Sequence, residues 1–170
     1  MVETREPGGT AAGEQIRELV LGLDRGALSD ATEVYLFAAA RAQLVAEVIL
    51  PALERGDWVV CDRFLDSSLA YQGVGRGLGV DDVLRANALA VAGCLPDLTI
   101  IVDLPLKVAM VRRGLGDRIE AEGSGFHERV ADGYRELATH YPDRIRVVSG
   151  AGTPQQVHER IMDALAAAWS

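Results

Sequence analysis

At 170 residues with 49% hydrophobic side chains, the chain has enough apolar matter to bury a core and is expected to fold as one domain over residues 1–170. A formal charge of −8 excludes broad attraction to a nucleic-acid backbone or an anionic membrane, so any phosphate-bearing ligand has to be small and held by local positive charge. No stretch reads as the roughly 18 apolar residues of a membrane span, and Met1-Val2-Glu3-Thr4-Arg5 is no apolar leader, so a cytoplasmic protein is expected.

Along the chain, Arg5-Glu6-Pro7-Gly8-Gly9-Thr10 reads as a tight turn feeding a helix, whose apolar stripe Ile16, Leu19, Val20 and Leu23 runs out at Gly26. Asp30 followed by Glu33 forms an acidic version of a capping box and opens a long helix towards Glu54, stopped before Gly56. Trp58-Val59-Val60-Cys61 is a short apolar run of the kind found in strands covered on both faces. A Gly-rich connection spans 72–79, and a helix follows over 81–92. Leu98-Thr99-Ile100-Ile101-Val102 is a second strand covered on both faces, and Pro105 suits the first turn of the next helix. A second Gly-rich stretch, 114–125, is the better candidate for a mobile lid. Phe126, Val130, Tyr134, Leu137 and Tyr141 make another helical stripe, Ile145-Arg146-Val147-Val148 a third strand, and Thr153-Pro154-Gln155-Gln156 the start of a last helix. Strands alternating with helices predict an α/β fold with a parallel sheet. Cys61 and Cys94 lack metal-ligand spacing and read as small buried apolar residues.

In parallel sheets ligands gather at the carboxyl ends of strands, which here puts Asp62-Arg63 and Asp103 in view. A carboxylate there can hold Mg²⁺ and a neighbouring guanidinium can clamp a phosphate, although the pair also reads as a surface turn. Asp103, just before Leu104-Pro105, reads more simply as a residue serving a helix start. Phe37 and Arg41, four apart, share one face of the long helix within the stripe of Val34, Ala38, Val45 and Val48. That pairing offers a nucleobase a ring to stack on and donors for its acceptor edge; the alternative is a core Phe with an Arg reaching past it to water. Arg112, Arg113 and Arg118 in the lid candidate either close over phosphates or belong to a solvated mixed-charge loop. No segment fits G-x-x-x-x-G-K-[ST], and Lys107 is the only lysine; Gly73-x-Gly75-x-Gly77 also misses the dinucleotide-binding spacing.

Taken in order, Thr4-Arg5-Glu6-Pro7-Gly8-Gly9-Thr10, residues 37–43, Asp62-Arg63-Phe64, Ser67-Ser68-Leu69-Ala70-Tyr71-Gln72-Gly73, Asp117-Arg118-Ile119-Glu120 and Phe126-His127-Glu128-Arg129 resemble the thymidylate kinase family along essentially the whole chain. The resemblance implies a three-layer P-loop kinase fold. This chain starts just before the family's second strand and lacks the central first strand, phosphate loop and first helix, which would leave two unpaired inner sheet edges. It implies transfer of the ATP γ-phosphoryl group to dTMP, with Mg²⁺ as cofactor. Phe37 would stack on thymine and Arg41 would bond its carbonyl edge, with Ser68 and Gln72 nearby. Arg63 would hold the dTMP phosphate, Asp62 would organise that arginine or Mg²⁺, directly or through water, and Tyr71 would pack where a ribose 2′-hydroxyl would intrude. Arg5, Glu6 and Pro7 would border the acceptor pocket, and Arg113 and Arg118 would be catalytic arginines of a lid near 112–125. The resemblance also implies a homodimer through helix 81–92, whose Val83, Leu84, Ala88 and Val91 equally suit an internal core. The alternatives are a catalytically silent dTMP-binding or dimerisation module and an incomplete gene model.

Overall fold

The structure, a computed structural model, describes residues 1–23, 26–112 and 116–169. Where the sequence suggests one unit, the chain forms two compact ones: Met1–Leu95 with Gly116–Gly133, and Pro96–Leu115 with Tyr134–Ser170.

In the first unit, strand β1 (Val2–Arg5) lies parallel to β2 (Val59–Asp62), with Val2 opposite Val59 and Arg5 opposite Asp62. β1 is the strand that residue patterning alone does not reveal. Helix α1 (Ala11–Leu21) starts at Thr10, whose hydroxyl accepts from the Gly13 N–H. The long helix opens one residue earlier than the capping pattern predicts: Ser29 is the N-cap, accepting from the Thr32 N–H, and α2 (Asp30–Leu44) begins on Asp30. It continues through a π-helical turn, Val45–Ile49, into α3 (Leu50–Glu54). Pro51 lacks the N–H an α-turn would use and its ring crowds the carbonyl four residues back, which accounts for the widened turn just before it.

The stretch Asp30–Glu54 is long and apolar enough by length and composition to cross a bilayer, contrary to the sequence expectation. Its packing gives a different reason for that composition. Both α1 and α5 (Val80–Val91) rest on α2, and Leu44, Val45 and Ile49 form a buried cluster with Val59, Cys61, Phe64 and Cys94 against it. Burying each of those three aliphatic side chains contributes about 1.5–3 kcal/mol. The cysteines are half-buried rather than buried.

After β2 the chain forms α4 (Leu65–Ser68) and a π-helical segment, Leu69–Gly75. Half of the first Gly-rich connection is therefore helical. A Cβ on Gly75 would stand 2.8 Å from Val130 and 2.9 Å from Phe126, so this glycine is required by a close helix crossing and not by a phosphate.

In the second unit, β3 (Thr99–Asp103) pairs in parallel with β4 (Ile145–Ser149), Thr99 opposite Ile145. Short α6 (Leu106–Arg112) follows β3, α7 (Ser124–His140) passes from the first unit into the second, and α8 (Pro154–Ala168) packs on β4 behind the capping box of Thr153 and Gln156. Each sheet has two strands among the described residues, so β2 and β3 have one partner apiece there. Coverage on both faces does not follow: Val60 is 55% and Val102 46% exposed.

Candidate functional site

The polar side chains of the first unit converge where β1 and β2 end. Glu6, next after β1, is buried, and so is Arg41 on α2. The Arg41 Nε–H is shared between the two Glu6 carboxylate oxygens at 3.1 and 2.9 Å, and Nη2 donates to Glu6 Oε2 at 2.5 Å and to Ser68 Oγ at 3.0 Å. Nη1 donates to Asn87 Oδ1, while the Asn87 amide donates to the Val83 carbonyl at 2.8 Å. Four of the five guanidinium N–H groups are thus engaged, leaving one on Nη1 without a partner among the described residues. Arg41 does not reach past the core to water; it is a fixed buried cation, with the Phe64 ring 5.3 Å from its Cζ. Burial pushes the Glu6 carboxyl up from its ordinary value, more than the facing Arg41 pulls it down.

A second polar centre lies two turns earlier on α2. Glu33, read from sequence as a capping residue, is 1% exposed. Its Oε1 accepts from the Gln72 side-chain amide at 2.8 Å, and its Oε2 from Arg76 at 3.0 Å and Arg118 at 2.5 Å. Burial alone would raise the Glu33 carboxyl, but hydrogen bonds from Arg118, Arg76 and Gln72 together hold it below the ordinary range. Glu33, Phe37 and Arg41 recur at intervals of four, hence on one helix face, and Ser68 and Gln72 repeat the same interval opposite them. The half-buried ring of Phe37 therefore falls between two polar clasps, Arg41–Ser68 and Glu33–Gln72.

Asp62 and Arg63 are both exposed at the end of β2. Arg63 has φ +66°, a left-handed conformation that costs a non-glycine residue about 1 kcal/mol or more. Its guanidinium lies over the Tyr71 ring, 5.2 Å from the centroid. Pro7 follows a cis peptide bond, and its carbonyl accepts from Arg17 at 2.9 Å. Arg5 is tied outward to Glu14 at 2.9 Å. Gly9, at φ +77°, has no room for a Cβ, which would meet Thr4 Oγ1 at 2.5 Å and Leu44 at 2.7 Å. Asp103 belongs to the second unit, where it lies exposed 3.9 Å from Arg135. Arg113 lies outside the described residues.

Glu33, Arg76 and Asn87 also belong to these networks. The helical spacing 33/37/41 signals the first, and a polar interruption of an apolar stripe between Val83 and Val91 signals Asn87; no pattern marks Arg76. An open groove of about 600 Å³ beside α1 is lined by Glu14, Glu18 and Asp117 together with Arg17.

Parallel strand pairs interleaved with helices define an α/β fold. Residues 1–161 match the thymidylate kinase family profile, and the chain belongs to the thymidylate kinase family. It is 47% identical to a thymidylate kinase of Rhizorhabdus wittichii, the match covering 98% of this chain and 82% of that protein. Against a thymidylate kinase of Lactobacillus delbrueckii subsp. bulgaricus it is 48% identical over 91% of this chain and 75% of the relative. The crystal structure of thymidylate kinase from Ehrlichia chaffeensis superposes with a TM-score of 0.78 at 32% identity, over 97% of this chain and 79% of that one.

Proposed function

We propose that the first unit holds the dTMP site and that the protein transfers the γ-phosphoryl group of ATP to dTMP, giving dTDP and ADP. The observation that carries this reading is the line Glu33–Phe37–Arg41, clasped at its ends by Gln72 and Ser68. Phe37 stacks on the thymine, and the uncommitted Nη1–H of Arg41 donates to its carbonyl edge. A guanidinium already fixed by Glu6, Ser68 and Asn87 loses little freedom on binding. Arg63 clamps the dTMP phosphate, and its contact with Tyr71 keeps that ring where a ribose 2′-hydroxyl would intrude. Arg5, Glu6 and Pro7 border the pocket.

A lone exposed carboxylate at a strand end suits Mg²⁺, which keeps most of its waters and takes one or two carboxylates along with substrate phosphates. Among the described residues no group of three His, Cys, Asp or Glu side chains forms a closed metal cage. Asp62 would hold the ion, whose chemistry is to offset charge on the transferring phosphates. The protein works in the cytoplasm as a homodimer, whose contact falls on the outer face of α5, where Leu89 is 94% exposed while Val83 and Val91 are in the core.

The alternative reading is a dTMP-binding module without turnover. Equilibrium dialysis with dTMP, run beside chromatographic detection of dTDP in the presence of ATP and Mg²⁺, separates the two. Uptake with dTDP formation supports the kinase, uptake without it the silent module, and no uptake contradicts both.

A further inference from the structure

Arg118 carries out a task in this structure that phosphate chemistry does not require. Helix α1 has no basic residue in its last turn, so its terminal carbonyls, at the negative end of the helix dipole, need donors from elsewhere. Arg118 supplies them: its backbone N–H donates to the Leu21 carbonyl at 3.0 Å and its Nε–H to the Val20 carbonyl at 2.8 Å. Its Nη2 is committed to Glu33. The segment around it is built to hold this pose. The Asp117 carboxylate accepts from the Ile119 and Glu120 N–H groups at 2.9 and 2.8 Å, Ile119 is buried, and Glu122 pairs with Arg76, which itself bonds Glu33.

We infer that Arg118 is a positioning residue, the anchor that fixes the segment 116–123 to α1 and α2, and that Glu33 is the shared carboxylate through which that segment and the acceptor pocket act on each other. The coupling rests on the proposed dTMP site. Glu33 Oε1 is bonded to Gln72, beside the nucleobase position, and Oε2 to Arg118. Whatever filling the pocket does to Gln72 changes what Glu33 has left for Arg118, and by linkage the anchor changes dTMP affinity by the same factor.

Amide hydrogen exchange on the full chain, with and without dTMP, tests both parts. Arg118→Gln should accelerate exchange across 116–123 and at the C-terminal end of α1 about tenfold or more, leaving β1 and β2 unchanged. In the wild type dTMP should slow exchange across 116–123, and in the variant that added protection should vanish while the dTMP dissociation constant rises by the matching factor. Arg118→Lys, which keeps the charge but not the planar fork, should fall in between and serves if the first variant folds poorly. Unchanged exchange at 116–123 in the free variants overturns the anchor. Equal dTMP protection in wild type and variant overturns the coupling. Failure of the wild type to take up dTMP in dialysis overturns the acceptor-site reading and the coupling with it, while exchange in the free protein still decides the anchor.

Discussion

Replacing Arg41 by Met removes a buried cation and keeps most of its bulk. Glu6, 4% exposed, then keeps a carboxylate with no counter-charge, while Ser68 and Asn87 each lose a donor. Breaking a buried pair from one side costs about 3–5 kcal/mol, a large part of the roughly 5–15 kcal/mol that stabilises a domain. The pH dependence has a definite sign. Glu6 already has a folded pKa above its unfolded one, and losing Arg41 raises it further. A carboxyl raised in this way contributes stability that is present below the unfolded value of about 4.5 and lost as pH rises through the folded one. The penalty of the variant should therefore be smaller at pH 5 than at pH 8, by up to about 1.4 kcal/mol per unit of further shift. Urea unfolding followed by circular dichroism, with amide exchange on α2 as the local reporter, measures it. The double variant Glu6→Gln/Arg41→Met should recover more than half of the loss, because no lone charge remains. A single-variant penalty under about 1 kcal/mol, or one equal at both pH values, would refute the buried ion pair as the support of this site.

Arg63→Ala should weaken dTMP binding about ten- to a hundredfold by removing a charge-assisted partner of the phosphate. Arg63→Gly should bind as weakly yet be about 1 kcal/mol more stable than the Ala variant, since only glycine adopts φ +66° without strain; calorimetric and unfolding measurements on both check this. Phe37→Ala should weaken dTMP by about tenfold while leaving any ATP affinity within about twofold, read by dialysis of each nucleotide. Equal losses would point to general destabilisation. Gly75→Ala should cost about 1–3 kcal/mol in urea unfolding, because the new Cβ meets Val130 and Phe126.

Much of the fold is legible in the sequence because the apolar runs are short, β-branched and separated by well-marked helices. β2, β3 and β4 fall within a residue or two of their patterns, and Thr153 and Gln156 form the box that their spacing predicts. β1 escapes because Val2-Glu3-Thr4-Arg5 carries one large apolar residue in four, and only pairing with β2 makes it a strand. The exposure of Val60 and Val102 escapes because composition reports what a strand face is suited to, not what covers it. At the site, the Phe37/Arg41 pair is visible from helical spacing. Its supports are less so: Glu6 is 35 positions and Asn87 46 positions from Arg41, and contacts that distant are set by the fold. Glu33 misleads because an acidic residue three positions after Asp30 resembles a capping partner, whereas the cap is Ser29 and the carboxylate turns inward to Gln72, Arg76 and Arg118.

The most direct test of the acceptor site is a calorimetric titration of the chain with dTMP, set against dAMP, dCMP and ribosyl-UMP under identical salt. The proposed site predicts saturable binding of dTMP, with the purine nucleotide, the amino pyrimidine and the ribonucleotide at least about tenfold weaker, because in that proposal Arg41 would donate to a carbonyl edge and Tyr71 would close the 2′ position. Equal binding of all four, or uptake of none, would contradict it.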